Sequence, residues 1–459
     1  MRSKAGSADT AAGSKGDRLE VLWESLRTSF WLVPGSMALL AGVLAFLCHL
    51  ADVALSRQNP ATLPFLIFVS TPDTARQVTS TLLSSMITMT SLVFSITMVV
   101  LTLAASQFGP RLIRSFMANP HTQYVLGVFV MTSVYCLAVL GAIGRASAGD
   151  TQQPFVTVSV ALLLTLVSVG LLVLFLHFLA RSIVSETVIE RVGREVDGQV
   201  DGFDPIPEER NDALDDDLPA DYRDRARFFG SATDGYVEAI AFERLVEQAR
   251  EADVLIALSF RPGDYVVIDG NGIGVYPADR CSEDLEEAIQ HAIIVGPHRS
   301  PNQDPEFSIR HLVEIAVRAL SPGINDPYTA AAVINRMSAT LSRMMRRALP
   351  KGAMRDENGA LRLICPHPTY ASLLGVAFNQ IRQNADGKPI VFIQLLEAIG
   401  RIAEHVQLDA QREALRVQLD AVTRAAERDV HEEFDLAAIV ARADAARAVL
   451  GVSPAAEKD

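Results

Sequence analysis

Lysine is nearly absent from this chain, and cysteine is scarce. Between Lys15 and Lys351 the sequence has no lysine, whereas arginine is frequent, and we attribute this bias to a high-GC bacterial genome rather than to function. The four cysteines are not at CxxC spacing: Cys48, Cys136, Cys281 and Cys365. Because two of them lie in apolar runs and none are suitably spaced, neither a disulfide framework nor a zinc site is expected.

The chain also lacks an excess of basic residues. Its formal net charge is −13, and most of the acidic residues lie in the second, more polar part of the sequence. Phosphate contacts require clustered lysine and arginine, so an acidic soluble part argues against a nucleic-acid partner.

Motifs of the common enzyme classes are missing as well. The sequence has no nucleophile elbow, no Gly-rich phosphate loop and no HExxH, and its only DxD spacing lies in the acidic run Asp215-Asp216-Asp217. One set of polar residues is of chemical interest: His291, His298, His311, Glu314, Asn325 and Asp326. Their spacing does not define a metal site, so we expect neither an enzyme nor a bound metal or cofactor.

Long apolar runs are present, and all of them lie within about the first 185 residues. Roughly 20 apolar residues suffice to cross a bilayer as a helix. Spans are predicted at 31–55, 78–105, 124–144 and 155–180. The predicted fold class is a membrane protein with four transmembrane α-helices plus a cytosolic α+β domain.

Basic residues flank these spans unevenly. One side of the membrane would carry Arg2, Lys4, Lys15, Arg18, Arg27, Arg111, Arg114, Arg181, Arg191 and Arg194. The other side would carry Arg57, Arg76 and Arg145. The positive-inside rule then predicts that both termini lie in the cytoplasm.

The second span is unusually rich in hydroxyl groups. Serines and threonines recur at steps of three, four or seven, which places them on one face of a helix. These candidate pore-lining residues, the hydroxyl stripe, are Thr81, Ser84, Ser85, Thr88, Ser91, Ser95 and Thr102. Two interpretations stay open: the hydroxyls bond their own backbone or stitch helices together, or they line a water-filled path. Four spans do not easily enclose such a path, so the second interpretation requires a symmetric oligomer.

The second span ends in a distinctive segment, SQFGPRLIRSF. Its members of interest are Gln107, Phe108, Pro110, Arg111 and Arg114. Gly109-Pro110 is expected to end the helix, and the two arginines would lie at the level of the headgroups. In an oligomer they would form a ring that sets charge selectivity.

The remainder of the chain is predicted to follow in blocks. We expect an N-terminal tail at 1–30, the transmembrane domain at 31–185, an acidic linker at 186–225, a β-rich module at 226–280, a helical domain at 281–450 and a tail at 451–459. Strands are predicted at 236–240, 254–260, 265–268 and 273–276, and helices at 242–251, 305–320, 327–348, 368–384, 389–406, 410–430 and 434–450. The turn Arg261-Pro262-Gly263-Asp264 between two strands resembles that of biotinyl/lipoyl-type barrel-sandwich modules. This segment has no lysine to carry such a cofactor, so the resemblance implies a small barrel-like shape alone.

A seven-residue corner, SPGINDP, separates two of these helices. It consists of Ser321, Pro322, Gly323, Ile324, Asn325, Asp326 and Pro327. Gly323 is able to take a positive φ, and Asp326 before Pro327 is typical of a helix N-cap. The corner is interpreted as a rigid helix–turn–helix connection. The alternative is a binding site or subunit contact, with Arg310 and His311 of the preceding helix nearby.

Three stretches together resemble one family. They are MITMTSLVFSITMVVLTLAASQFGPRLIRSFM, RPGDYVV and QDPEFSIRHLVEIAVRALSPGINDPYTA. In this order they are similar to the bacterial predicted membrane protein family known as domain of unknown function 2254. The resemblance covers about residues 30 to 430 and implies an inner-membrane protein with four spans, a cytosolic domain and no assigned reaction.

Two functions remain open on the sequence alone. The first is an oligomeric, channel-like or transport protein with a hydroxyl-lined second span and a cytosolic regulatory domain. The second is a membrane-anchored sensor or scaffold whose cytosolic domain binds a partner or a small ligand. The expected partners are the lipid bilayer, further copies of the chain and a small ion or ligand.

Overall fold

A computed structural model describes residues 32–56, 72–108, 120–145, 154–182, 185–206, 218–301 and 303–451. Both predicted tails, 1–30 and 451–459, lie outside these residues apart from Gly451. The chain divides into two compact units, Met1–Val184 and Ser185–Asp459.

The first unit consists of four long helices in the described residues. They are α1 (Leu32–Ser56), α2 (Pro72–Phe108), α3 (Pro120–Arg145) and α4 (Phe155–Ser182). All four are long and apolar enough to cross a membrane, which confirms the four predicted spans. α2 has 37 residues, which corresponds to a length of about 55 Å. It therefore exceeds the roughly 30 Å of a hydrocarbon core and extends beyond the predicted 78–105.

α3 is the central helix of this unit. It packs against each of the other three helices. The most apolar part of α3 is 44% buried, compared with 22% for each of the others. Leu126, Phe129 and Tyr135 of α3 are fully buried, so large side chains fill the interior of the four-helix unit.

A buried carboxylate joins the first span to the fourth. Asp52, near the end of α1, is 2% exposed. It accepts hydrogen bonds from the backbone N–H of Val156 at 2.7 Å and of Thr157 at 3.1 Å, and from the Thr157 hydroxyl. The first N–H groups of α4 have no partner within their own helix, and Asp52 accepts their hydrogen bonds. A side chain of α1 therefore does for α4 what an N-cap residue usually does for the helix that it begins. The structure thus gives Asp52 a structural role.

The second unit begins with a helix where a linker was predicted. α5 spans Ser185–Asp201 and carries apolar residues at helical spacing, among them Val188, Val192 and Val196, all buried. It packs against two later helices, α9 and α10, whose bounds are given below. The predicted acidic linker at 186–225 is therefore wrong for its first part, because an amphipathic pattern was overlooked beside the acidic residues. Residues 207–217, with the Asp215 run, lie outside the described residues.

Two open sheets follow. Their strands are β1 (Arg227–Phe229), β2 (Gly235–Ile240), β3 (Leu255–Leu258), β4 (Tyr265–Val266), β5 (Ile273–Tyr276), β6 (Ile293–Gly296), β7 (Ala353–Arg355) and β8 (Leu361–Ile364). One sheet has the order β1-β5-β3-β8-β7 and the other β4-β2-β6. Among the named strands of the described residues, β3 and β8 alone pair in parallel, with Ile256 opposite Leu363. The short helices α6 (Tyr222–Arg225), α7 (Phe242–Ala252) and α8 (Glu283–His291) accompany these strands.

The predicted barrel-like module is not found. Neither sheet closes on itself in the described residues. The four predicted strands exist, but two of their neighbours, β6 and β8, come from residues after 280, where only helices were expected, and β7 pairs in turn with β8. The segment 226–280 therefore completes its sheets with distant parts of the chain, and Leu363 of β8 belongs to the same core as Ile256 and Val275.

The remaining helices agree with the sequence pattern. They are α9 (Pro305–Leu320), α10 (Pro327–Met344), α11 (Tyr370–Gln383), α12 (Pro389–Ala403), α13 (Asp409–Asp429) and α14 (Glu433–Leu450). The expected N-cap at Asp326 is formed, since its side chain accepts from the N–H groups of Tyr328 and Thr329. Asp304 caps α9 in the same way by accepting from the N–H of Phe307. The apolar face of α12 is buried, including Leu396, Ile399 and Ile402.

An ion-pair cluster fastens α5 to α10. Arg336 of α10 contacts Asp197 at 2.6 Å and Glu190 at 2.9 Å, and Thr340 donates to Asp197 at 2.6 Å. A Cβ atom on Gly193 would lie 2.4 Å from the Arg336 Nε, so glycine makes room for the guanidinium. Burial alone would raise the pKa of Asp197, but the hydrogen bonds from Arg336 and Thr340 outweigh it and hold this pKa below its usual value.

We expect Arg336→Ala to loosen α5. The substitution leaves the buried Asp197 carboxylate without its main partner, and breaking such a pair costs about 3–5 kcal/mol. Hydrogen exchange followed by mass spectrometry on the full chain should show faster exchange of the α5 amides. Arg343→Ala is the matched control, because Arg343 is 57% exposed and meets the same carboxylate at 3.3 Å; its effect should stay below about 1 kcal/mol.

The effect should also depend on pH. Because the pKa of Asp197 is lower in the folded state, its contribution is present above the unfolded value of about 3.9 and is lost as pH falls through the folded value. Below about pH 4 the difference between the wild type and Arg336→Ala should therefore shrink. A difference that stays constant down to pH 3 would show that charge pairing at Asp197 does not hold α5.

Candidate functional site

The hydroxyl stripe lies on the outer surface of the first unit. All seven of its residues are exposed in the single chain. The residues of α2 that pack inward are Met86, Val93 and Thr97, all buried. At 100° per residue, these three lie on the side of the helix opposite to Thr88 and Ser95. The stripe is therefore turned away from the other three helices of its own chain.

Most of the hydroxyls are bonded to their own helix. Thr81, Ser84, Thr88 and Thr102 each donate to the carbonyl oxygen four residues earlier, at 2.9–3.0 Å. This is the local bonding that serine and threonine show in membrane helices. Within the part of the chain that the structure describes, Ser85, Ser91 and Ser95 make no such bond and have no other partner.

Apolar residues interrupt the same face toward the C-terminal end of α2. Leu92 is 50% exposed and Val99 is 65% exposed, and both project on the side of the stripe. The hydroxyls are therefore densest between Thr81 and Ser95, and the stripe is a mixed surface beyond that point.

A groove beside the stripe was not anticipated from the sequence. It lies between α2 and α3, has a volume of about 490 Å³ and is lined in part by Thr90, Ser91 and Ser133. Ser91 thus belongs to both features, while Ser133 adds a hydroxyl from the third span. The sequence signal that could have indicated this groove is the Thr132-Ser133 pair in an otherwise apolar span.

The membrane-exit residues are only partly described. α2 ends at Phe108, so Gln107 and Phe108 form its last turn. Pro110, Arg111 and Arg114 lie outside the described residues. The proposed ring of arginines therefore stays a prediction.

The SPGINDP corner is a tightly hydrogen-bonded connection. The Ser321 carbonyl accepts from Ile324 N–H at 3.0 Å and from Asn325 N–H at 2.8 Å, and Asp326 N–H donates to the Ala319 carbonyl at 2.8 Å. Asp326 caps α10 through the N–H groups of Tyr328 and Thr329, both at 3.1 Å, and accepts from the Thr329 hydroxyl at 2.6 Å. These hydrogen bonds hold the pKa of Asp326 below its usual value.

Two expectations for this corner are wrong. The left-handed residue is Asn325, with φ +49°, and not Gly323, whose φ is not positive. Asparagine tolerates this conformation better than other non-glycine residues. Arg310 is also not near the corner: it precedes Ser321 by eleven residues, about 17 Å along a helix, and donates to Glu306 at 3.1 Å. His311, the next residue of α9, is buried and is similarly far from the corner.

The corner nevertheless presents apolar groups on its surface. Ile324 is 45% exposed and Tyr328 is 75% exposed.

Among the described residues, no group of three His, Cys, Asp or Glu side chains is placed to hold a metal ion. The polar residues His291, His298, Asn325 and Asp326 are thus not gathered into a metal-binding cluster.

We expect Asp326→Ala to lower the free energy of unfolding by about 1–2 kcal/mol, because α10 loses its N-cap. Asp326→Asn is the matched variant, since it keeps an oxygen that can accept from the same N–H groups, and should lose less than about 0.5 kcal/mol. Urea unfolding of the purified chain, followed by circular dichroism, measures both. Equal losses for the two variants would contradict a capping role for Asp326.

The comparisons with known proteins agree on one family. A family model described as predicted membrane protein (DUF2254) matches residues 27–401. Uncharacterized proteins from Mycobacterium bovis and from Mycobacterium tuberculosis strain H37Rv are each 33% identical over 393 residues, which cover 84% of this chain and 74% of theirs. No solved structure is significantly similar to the chain. The match over most of its length shows that the chain is a member of the DUF2254 family of predicted membrane proteins.

Proposed function

We propose that several copies of this chain assemble in the membrane around a shared axis and form a channel-like path for a small ion, lined by the hydroxyl stripe of α2. The observation that carries the proposal is the direction of the stripe, which is exposed and opposite to the packed face of α2. The proposal assigns no catalytic step to the chain.

The three unbonded serines support an environment other than hydrocarbon. Ser85, Ser91 and Ser95 lack a partner among the described residues. An unpaired hydroxyl in an apolar medium costs about 1–3 kcal/mol on the scale of protein substitutions. Three of them on one lipid-facing surface would be a substantial penalty, which water in a path or hydroxyls of a second copy would remove.

The bonded hydroxyls fit the same placement. A serine or threonine bonded to its own carbonyl oxygen keeps an unused acceptor lone pair, so it still presents a polar surface. Such a lining carries no charge, so it would select weakly among ions. Selectivity would then come from charged groups near the ends of the path, for which Arg111 and Arg114 are the candidates.

A path inside one copy is not favoured. The centre of the four-helix unit is filled by Phe129 and Tyr135 of α3, both fully buried. A shared axis between copies makes use of the surface that carries the hydroxyls, and closed rotational symmetry is the usual way to build it. The groove with Thr90 and Ser133 lies next to this surface and offers a seat for an apolar side chain of the neighbouring copy.

The orientation forms part of the proposal. The excess of arginine on one side of the spans favours a plasma-membrane protein with both termini in the cytoplasm. The second unit would then be cytosolic and would act as a regulatory domain for the path.

We expect a cysteine at position 88 to react with water-soluble maleimides in proteoliposomes. The four native cysteines are buried, so the wild-type chain gives a low background. Thr88→Cys should be labelled at the proposed axis and, under mild oxidation, should form disulfide-linked dimers between copies. The same vesicles should pass small monovalent ions, and Thr88→Leu should slow that flux by narrowing and drying the path.

Leu166→Cys is the matched control. Leu166 of α4 is 69% exposed in the single chain, and its neighbours on the same side of the helix, Leu163 and Val173, are exposed apolar residues. It should be neither labelled nor cross-linked. If positions 88 and 166 are both inaccessible to the reagent and neither cross-links, the stripe does not face water and the proposed path does not exist.

A further inference from the structure

The second unit contains a cavity that none of the features above explains. Its volume is about 560 Å³, which is in the range of pockets that enclose drug-sized ligands. It lies between the C-terminal half of α5, the start of α7 at Phe242, the Arg261-Pro262 turn, Pro301 with residues 303–305, and the two segments that flank the β7–β8 hairpin. Phe203, Phe242, Met354 and several prolines make most of its wall apolar.

Some of the charged groups at this cavity are already neutralised. Arg261 donates to Glu306 at 2.6 Å, and the Glu306 side chain is 3% exposed. Arg299 pairs with Asp304 at 2.5 Å, and Asp304 also caps α9. Burial would raise the pKa of Glu306, but the bonds from Arg261 and Arg310 lower it overall, so this carboxylate stays ionised and paired. These pairs fix the shape of the wall and offer little charge to a ligand.

Two basic side chains at the cavity are free. Lys351 and His367 have no hydrogen-bond or ion-pair partner in the described residues. The backbone segments that carry them are paired, because Cys365 N–H donates to the Gly352 carbonyl at 2.7 Å. A Cβ atom at Gly352 would lie 2.5 Å from the His367 Nδ1, so glycine at position 352 leaves room for the imidazole ring.

α5 supplies hydrogen-bond acceptors to the lining of the cavity. Gln199 donates through Nε2 to the Pro301 carbonyl at 2.6 Å, while its Oε1 is buried and has no donor. A buried acceptor without a partner is uncommon in folded proteins and calls for a donor from water or a ligand. Glu195, one turn earlier on α5, adds a carboxyl group to the same lining and makes no hydrogen bond or close ion pair within the described residues. Burial raises the pKa of Glu195, and the nearby charge of Arg191 offsets only part of this rise.

A thiol reaction at this cavity is not supported. Cys365 lines it beside His367, which is a pairing that nucleophilic thiols use. Burial raises the pKa of Cys365 to about 12, and its Sγ donates to the Phe260 carbonyl at 3.4 Å. The thiol therefore stays protonated and engaged, and the cavity is suited to binding.

We infer that this cavity binds a small zwitterionic molecule with an apolar body, such as a hydrophobic dipeptide. Its anionic group would be held by Lys351 and His367, its cationic or N–H donor group by Glu195 and the Gln199 Oε1, and its body by Phe203 and Phe242. This inference does not depend on the proposed membrane path, since every group that it uses belongs to the second unit.

Binding of a ligand in the cavity would act on α5. The helix presents Glu190, Gly193 and Asp197 to Arg336, and it presents Glu195 and Gln199 on the opposite side to the cavity. In sequence, α5 follows α4 after only two residues. A ligand in the cavity therefore contacts the element that directly continues the last span.

The test uses leucyl-phenylalanine with free termini as the probe and the full chain in detergent. Isothermal titration calorimetry should show saturable binding. N-Acetyl-leucyl-phenylalanine lacks the ammonium group and leucyl-phenylalanine amide lacks the carboxylate, and each should bind about ten- to a hundredfold more weakly, as expected for loss of a charged hydrogen bond.

Lys351→Met should weaken the binding of the free dipeptide by a similar factor, whereas the binding of the dipeptide amide should not change. Lys388→Met is the matched control, because Lys388 lies at the start of α12 and away from the cavity lining, and should change nothing. Gly198→Phe should abolish binding: Gly198 lines the cavity, a Cβ atom there meets nothing within 4 Å, and its φ is not positive.

Two results would overturn the inference. Binding of the dipeptide that survives Gly198→Phe would place the site elsewhere. Absence of saturable binding by the wild-type chain, or equal binding of the free dipeptide and its amide, would refute the zwitterionic ligand. Because Gly198→Phe replaces a glycine within a helix, it should preserve the circular dichroism spectrum, which separates loss of binding from loss of folding.

Discussion

A hydroxyl group within a bilayer must find a hydrogen-bond partner, and this requirement constrains how α2 can be placed. The helix satisfies Thr81, Ser84, Thr88 and Thr102 through its own carbonyl oxygens, whereas Ser85, Ser91 and Ser95 depend on something outside the described chain. Inside the four-helix unit the same requirement is met directly. The hydroxyls of Thr132 and Ser168 lie 3.1 Å apart between α3 and α4, and Tyr135 donates to the Thr157 carbonyl at 3.0 Å. The unit therefore pairs several of its interior polar groups, although the buried hydroxyls of Thr79 and Thr122 have no partner among the described residues. The three unpaired serines of the stripe lie instead on the outer face of α2.

Much of the fold could be predicted, because the helices are encoded by local patterns. An apolar run of sufficient length specifies a span, and Asp-Pro specifies the starts of α9 and α10, so these elements were found within a few residues. The sheets could not be predicted in the same way, because the sequence of a strand does not show which other strand it pairs with. β3 pairs with β8 more than a hundred residues later, and the resemblance of one turn to a barrel-sandwich module was a local signal for a non-local shape. The Asn358-Gly359 turn between β7 and β8 is a typical hairpin signal and was overlooked.

The candidate site shows the same division. Helical periodicity placed the hydroxyls on one face, which the structure bears out as an exposed surface, but periodicity does not say what that face meets. At the corner, the cap at Asp326 followed from residue type, whereas the left-handed residue was assigned to Gly323 instead of Asn325, because several residues of the corner tolerate that conformation. The cavity was not predicted, because its lining comes from six separated segments. The only local hint was Lys351, the first lysine after Lys15 in an arginine-rich chain.

α5 connects two features of the second unit, the ion-pair cluster and the cavity. On one side it is held by charge, through Asp197 and Arg336, and on the other it lines the cavity with Gln199 and Glu195. A ligand shifts a conformational equilibrium only by the difference in its affinity for the two states. A molecule that contacts α5 only when the helix is docked on α10 would add its binding free energy to that of the ion pairs, so ligand occupancy and helix docking would stabilise each other reciprocally. The acid sensitivity of Asp197 would then appear in ligand affinity as well, because both sides of one 17-residue helix take part in the same equilibrium.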